Sequence, residues 1–86
     1  MGSHPTDFVG SVEDAIKAAI AQNLEGAVVD VASGSQGHYT ISVVSPAFAG
    51  KSMLASQRLV LSAIAHLMKG DRAPVHAVDT LKTKAP

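Results

Sequence analysis

The chain has 86 residues, seven Lys plus Arg against seven Asp plus Glu, and no cysteine. With 47% hydrophobic and 16% charged residues, it has the composition of one folded domain with a modest core rather than of a disordered segment. The charge balance argues against a strongly basic nucleic-acid module, and the lack of cysteine excludes disulfides and all-cysteine metal sites.

No apolar run approaches the roughly 18 residues that span a bilayer, and no secretory leader is evident. A soluble cytoplasmic protein, organellar if eukaryotic, is therefore expected, with no membrane partner. One Tyr and two Phe leave the core to aliphatic side chains.

Residues 1–7 open with Met-Gly-Ser-His and read as an expression leader, disordered and outside the fold. With Met1 removed, a free Gly-Ser-His terminus would chelate copper or nickel, so His4 is kept out of any site. Residues 8–83 read as a single domain and residues 84–86 as a tail. Ser11 caps a first helix, with Asp14 three residues on. Val12, Ile16, Ala19, Ile20 and Leu24 follow at helical spacing, and Gly26 stops the run. Ala27–Ala32 and His38–Val44 read as strands of a hairpin joined by the five-residue loop Ser33–Gly37, whose Gly and Ser content suggests mobility. In the second strand Tyr39, Ile41 and Val43 share one face; His38, Thr40 and Ser42 share the other.

Pro46 ends that strand, Phe48 is expected to fill the core beneath the turn, and Gly50 permits a reversal. Ser52 caps a long helix predicted over Met53–Lys69. Met53, Val60, Ile64 and Leu67 line one side of it, with Leu54, Leu61 and Met68 alongside. Gln57, Ser62, His66 and Lys69 are expected to face solvent. After the loop Asp71–Pro74, Val75–Leu81 alternates as a third strand, and Lys82–Pro86 is polar. The crossover helix permits a parallel strand, so a mixed sheet covered by helices is predicted.

Two short motifs invite a functional reading and fail it. Ala49-Gly50-Lys51-Ser52 resembles the end of a phosphate-binding loop, but Ser45 stands where that loop needs its first glycine. Gly34-Ser35-Gln36-Gly37 matches the GxxG string of KH domains, yet it joins two strands where theirs joins two helices. No Ser-His-Asp, paired-carboxylate or HExxH arrangement is present. Asp30 and Asp79 fall on separate strands with no evident partner. His38 and His76 each sit at a strand start and fit neither strand's core pattern. Neutral imidazole is a common metal ligand, but two ligands leave a site incomplete, so the remainder would come from outside the chain.

The run from Val43 to Val60, VVSPAFAGKSMLASQRLV, followed by Val75–Thr83, VHAVDTLKT, resembles the BolA family. The residues that carry the likeness are Val44, Ser45, Phe48, Gly50, Gln57, Arg58, Leu59, Val60, His76 and Ala77, and it covers about Ser11 to Thr83. Gly37-His38-Tyr39 is similar to the histidine-bearing loop of the acid-stress branch. Ser56-Gln57-Arg58 replaces the Arg-His-Arg of many relatives in a way that branch shares.

The resemblance implies an α+β fold of order α-β-β-α-α-β, with a three-stranded mixed sheet like a type II KH domain. It also implies a monothiol glutaredoxin partner, with a 2Fe-2S cluster shared between this chain, the glutaredoxin cysteine and glutathione. His76 is then the strand ligand. His38 is the better loop ligand, since Ser35 stands near the position of the cysteine used in another branch and serine substitutes poorly for a thiolate.

The leading expectation is thus a non-enzymatic iron–sulfur adaptor or regulator, monomeric in isolation. The alternative is a KH-like nucleic-acid-binding stress or transcription regulator contacting DNA through Lys51, Arg58, Lys69 and Arg72. The adaptor reading requires His38 and His76 to lie within reach of one external site.

Overall fold

A computed structural model describes residues 11–86; the leader assigned to residues 1–7, with His4, lies outside them. Helix α1 spans Val12–Asn23, and the Ser11 hydroxyl accepts a hydrogen bond from the Asp14 backbone N–H. It buries Ile16, Ala19 and Ile20 on the stripe expected from their spacing. Strands β1 (Val28–Ser33), β2 (His38–Val44) and β3 (Ala77–Lys84) form one sheet in that order. β2 pairs antiparallel with β1 and parallel with β3, so the sheet is mixed and β2 is its centre. Tyr39, Ile41 and Val43 are buried while His38, Thr40, Ser42 and Val44 remain half-buried, which is the alternation of a strand covered on one face.

Ser45 closes β2 and is fully buried. Its hydroxyl donates to the Glu25 carbonyl at 2.8 Å and accepts from the Ala47 N–H at 3.1 Å. It thereby caps the short 3₁₀ turn Pro46–Phe48, which drops Phe48 into the core. Helix α2 begins at Met53, with Ser52 accepting from the Ala55 N–H. The fold thus has two α-helices packed on a three-stranded mixed sheet.

The helix predicted over Met53–Lys69 is shorter: α2 ends at Ala63, and Ala65–Leu67 is a 3₁₀ turn. Ile64 and Leu67 both enter the core across this change of pitch. The wide apolar stripe also narrows. Val60 is central, whereas Leu54 and Leu61 lie about 100° or more around the helix from it and are exposed, as is Met53 in the first turn. Gln57 is not a solvent-facing residue: it is half-buried and its Nε2 donates to the Leu81 carbonyl at 3.1 Å, tying α2 to β3.

β3 departs most from expectation. It starts at Ala77 rather than Val75 and runs on to Lys84; residues 82–84, read as polar tail, pair with Ser42, Val43 and Val44. Its register slips once. Tyr39 opposes Val78, but Thr40 opposes Thr80, leaving Asp79 as the extra residue of a bulge. Val78 and Leu81 are three apart and could not share a face in a regular strand. The bulge resets the phase, so both pack against the core. No helix among the described residues is long and apolar enough to cross a membrane.

Candidate functional site

The β1–β2 loop is four residues long, Gly34–Gly37. It is drawn tight by bonds from Gly34 N–H to the His38 carbonyl and from His38 N–H to the Ser35 carbonyl, both 2.9 Å. It is also fastened to the start of β3. The Gly37 carbonyl accepts from both the His76 and Ala77 N–H groups, at 2.8 and 3.1 Å. The loop is therefore a closed turn bonded to a neighbouring strand.

This junction brings the two histidines together. His38 opposes Ala77 in the β2–β3 register, one residue beyond His76. Gly37 has φ +77°, and a Cβ added there would lie 2.8 Å from His76 Cγ and 2.9 Å from its Nδ1. The His76 ring thus lies against the bare α-carbon of Gly37. With adjacent Cα atoms about 3.8 Å apart, it starts within roughly 8 Å of the His38 Cα. His76 is exposed and makes no side-chain hydrogen bond among the described residues.

His38 differs in having a partner. Its Nδ1 is 2.9 Å from Asp79 Oδ1, and Asp79 is the bulged residue that the sequence left without one. The Asp79 carboxylate also reaches under the loop, with Oδ2 3.9 Å from the position of a Gly34 Cβ. No spacing rule connects residues 38 and 79; only the parallel register with its extra residue does. On the other side of the loop, the Ser33 hydroxyl donates to the Glu13 carboxylate, anchoring the end of β1 to α1. Burial, and secondarily the Glu13 charge, push the neighbouring Tyr39 phenol above its usual 10.

Among the described residues no group of three or more His, Cys, Asp or Glu side chains is arranged to hold a metal ion. His38 and His76 lie at one end of the sheet, His76 exposed and His38 half-buried. His66 is exposed on the 3₁₀ turn after α2, and the adjacent Leu67 carbonyl accepts from the Val75 N–H at 3.1 Å. The four basic residues are spread along the chain from just before α2 to the loop that leads into β3. Lys51 precedes α2, Arg58 lies within it, and Lys69 and Arg72 follow its 3₁₀ extension, all four exposed. An 11-residue helix is about 16 Å long, so these charges are strung along its length.

A family model described as BolA-like protein matches residues 12–86. BolA-like protein 1 of Mus musculus is 35% identical over 94 residues, which cover 99% of this chain and 66% of that protein. The chain thus spans just under two thirds of the length of this curated relative. A BolA protein homologue from Coxiella burnetii has a similar structure, with TM-score 0.70, 33% identity, and coverage of 91% of this chain and 94% of that one. The solution structure of the Mus musculus BolA1 protein aligns with TM-score 0.70 and 34% identity over 100% of this chain and 74% of that one. The order of elements, the sequence from the first helix to the last strand, and the superposition on these structures agree: the chain belongs to the BolA-like family.

Proposed function

We propose that this protein is a non-enzymatic adaptor that pairs with a monothiol glutaredoxin and lends His76 and His38 to a 2Fe-2S cluster held between the two proteins. The observation that supports it most is the junction at Gly37, where one carbonyl bonds to the start of β3 and brings both histidines to one solvent-open end of the sheet. The donor set fits such a role. Imidazole nitrogen is a competent iron ligand, and two imidazoles leave two positions for external thiolates, here the partner's cysteine and glutathione.

When bound, the cluster supplies one-electron chemistry at a potential raised by imidazole ligation. The chain's part is to present two nitrogen donors at one end of the sheet. The nucleic-acid reading through Lys51, Arg58, Lys69 and Arg72 gains no comparable observation.

The test is titration of cluster-loaded monothiol glutaredoxin with this protein, followed by visible absorption and circular dichroism. The spectra should change as the mixed complex forms. His76→Ala should abolish the change and His38→Ala should weaken it. Parent-like spectra from both variants would overturn the ligand assignment.

A further inference from the structure

We propose that Asp79 is a positioning residue for His38, fixing which of its ring nitrogens is presented to a metal. The inference rests on the functional reading above and adds a residue to it. It starts from the bulge. Slipping the register between Tyr39 and Thr40 leaves Asp79 without a cross-strand partner, and bulges characteristically re-aim a side chain. Here Asp79 Oδ1 meets His38 Nδ1 at 2.9 Å, while Oδ2 sits beneath Gly34. The carboxylate therefore underlies both ends of the turn that carries His38.

A carboxylate only accepts hydrogen bonds, and a neutral imidazole has one N–H to give. The contact consequently puts the proton on Nδ1 and leaves the Nε2 lone pair free. That is the arrangement by which a carboxylate behind a metal-binding histidine selects its tautomer, fixes its ring and makes it a stronger donor. The pair is too exposed to be explained by stability. The His38 and Asp79 side chains are 38% and 52% exposed, a setting in which ion pairs contribute little to folding. His76 is held differently, by ring contact with Gly37 rather than by a carboxylate. The two histidines are thus unequal donors: one has its nitrogen chosen by a charged neighbour and the other has only its ring plane confined.

Long-range 1H–15N correlation spectra of the isolated protein, recorded above the ordinary imidazole pKa of about 6.5, read the tautomer of each histidine directly. In the parent, His38 should be protonated on Nδ1. In Asp79→Ala it should move toward the Nε2–H form that free imidazole side chains favour, with His66 and His76 unchanged. Asp79→Asn, which keeps a carbonyl acceptor without the charge, should restore much of the Nδ1–H form. In the titration with cluster-loaded glutaredoxin, Asp79→Ala should need about tenfold more protein for the same spectral change, the low end of the usual cost of losing such a partner. An unaltered His38 tautomer in Asp79→Ala overturns the inference whatever the titration shows. An altered tautomer with His38→Ala inert in the titration leaves the Asp79–His38 coupling standing and refutes the ligand role on which it was built.

Discussion

Gly37→Ala probes the junction on which the functional reading depends. Gly37 has φ +77°, a conformation that costs a residue with a Cβ about 1–2 kcal/mol. The new methyl would also stand 2.8 Å from His76 Cγ, 2.9 Å from Nδ1 and 3.2 Å from Cβ, where ordinary carbon contacts are about 3.5–4.0 Å. The ring cannot simply swing away, because two of these atoms lie at its root. The strand start cannot simply retreat, because the His76 and Ala77 N–H groups are bonded to Gly37 itself. A total loss of about 2–4 kcal/mol follows, the steric part being typical of inserted methyl groups.

Gly50→Ala supplies the control. Gly50 has φ +74° but nothing within 4 Å of an added Cβ, so it should lose only the backbone part, about 1–2 kcal/mol. Urea unfolding of both variants gives the difference, which should be at least about 1 kcal/mol. Repeating Gly37→Ala in a His76→Ala background should recover most of that excess, since the clash is then with a methyl group instead of a ring. Equal losses for the two glycines, or no recovery in the double variant, would refute the proposed contact between Gly37 and the His76 ring.

Ser45→Ala removes a fully buried hydroxyl that both donates and accepts. It should cost about 1–3 kcal/mol in chemical unfolding, and a loss below roughly 0.5 kcal/mol would mean that water or a neighbour takes over both partners. The raised Tyr39 pKa sets a limit at alkaline pH. The folded state keeps its phenolic proton longer than the unfolded chain does, so the stability from this group is intact below pH about 10 and falls as pH rises through the folded value. Tyr39→Phe should flatten that alkaline decline; an unchanged slope would assign it to the lysines.

Local chemistry made much of the molecule legible. Ser11 and Ser52 were recognisable caps because a hydroxyl just before an apolar-periodic run has free N–H groups to accept from. The inward set Tyr39, Ile41 and Val43 followed from a period of two. Phe48 was placed in the core by the turn that surrounds it. Where these signals failed, a distant partner had intervened. Leu54 and Leu61 are apolar but lack a facing element, so composition overstated the buried stripe of α2. α2 ends at Ala63 and gives way to a 3₁₀ turn, with Ile64 and Leu67 still reaching the core. Gln57 is a polar residue that α2 turns toward β3, where a strand carbonyl needs it. Asp79 looked isolated because its partner is 41 residues away.

The sequence by itself determined the elements, their order and the family, because caps, turns and hydrophobic periodicity act over a few residues and the residues from Val44 to Ala77 form a distinctive string. It also singled out His38 and His76, each misplaced with respect to its own strand's core pattern. Only the tertiary structure decided how these meet. The parallel β2–β3 register, with its single slip at Asp79, is set by the need to bury both Val78 and Leu81, a condition on core packing that no local spacing expresses. That slip puts a carboxylate behind one histidine, while the Gly37 carbonyl draws the other alongside.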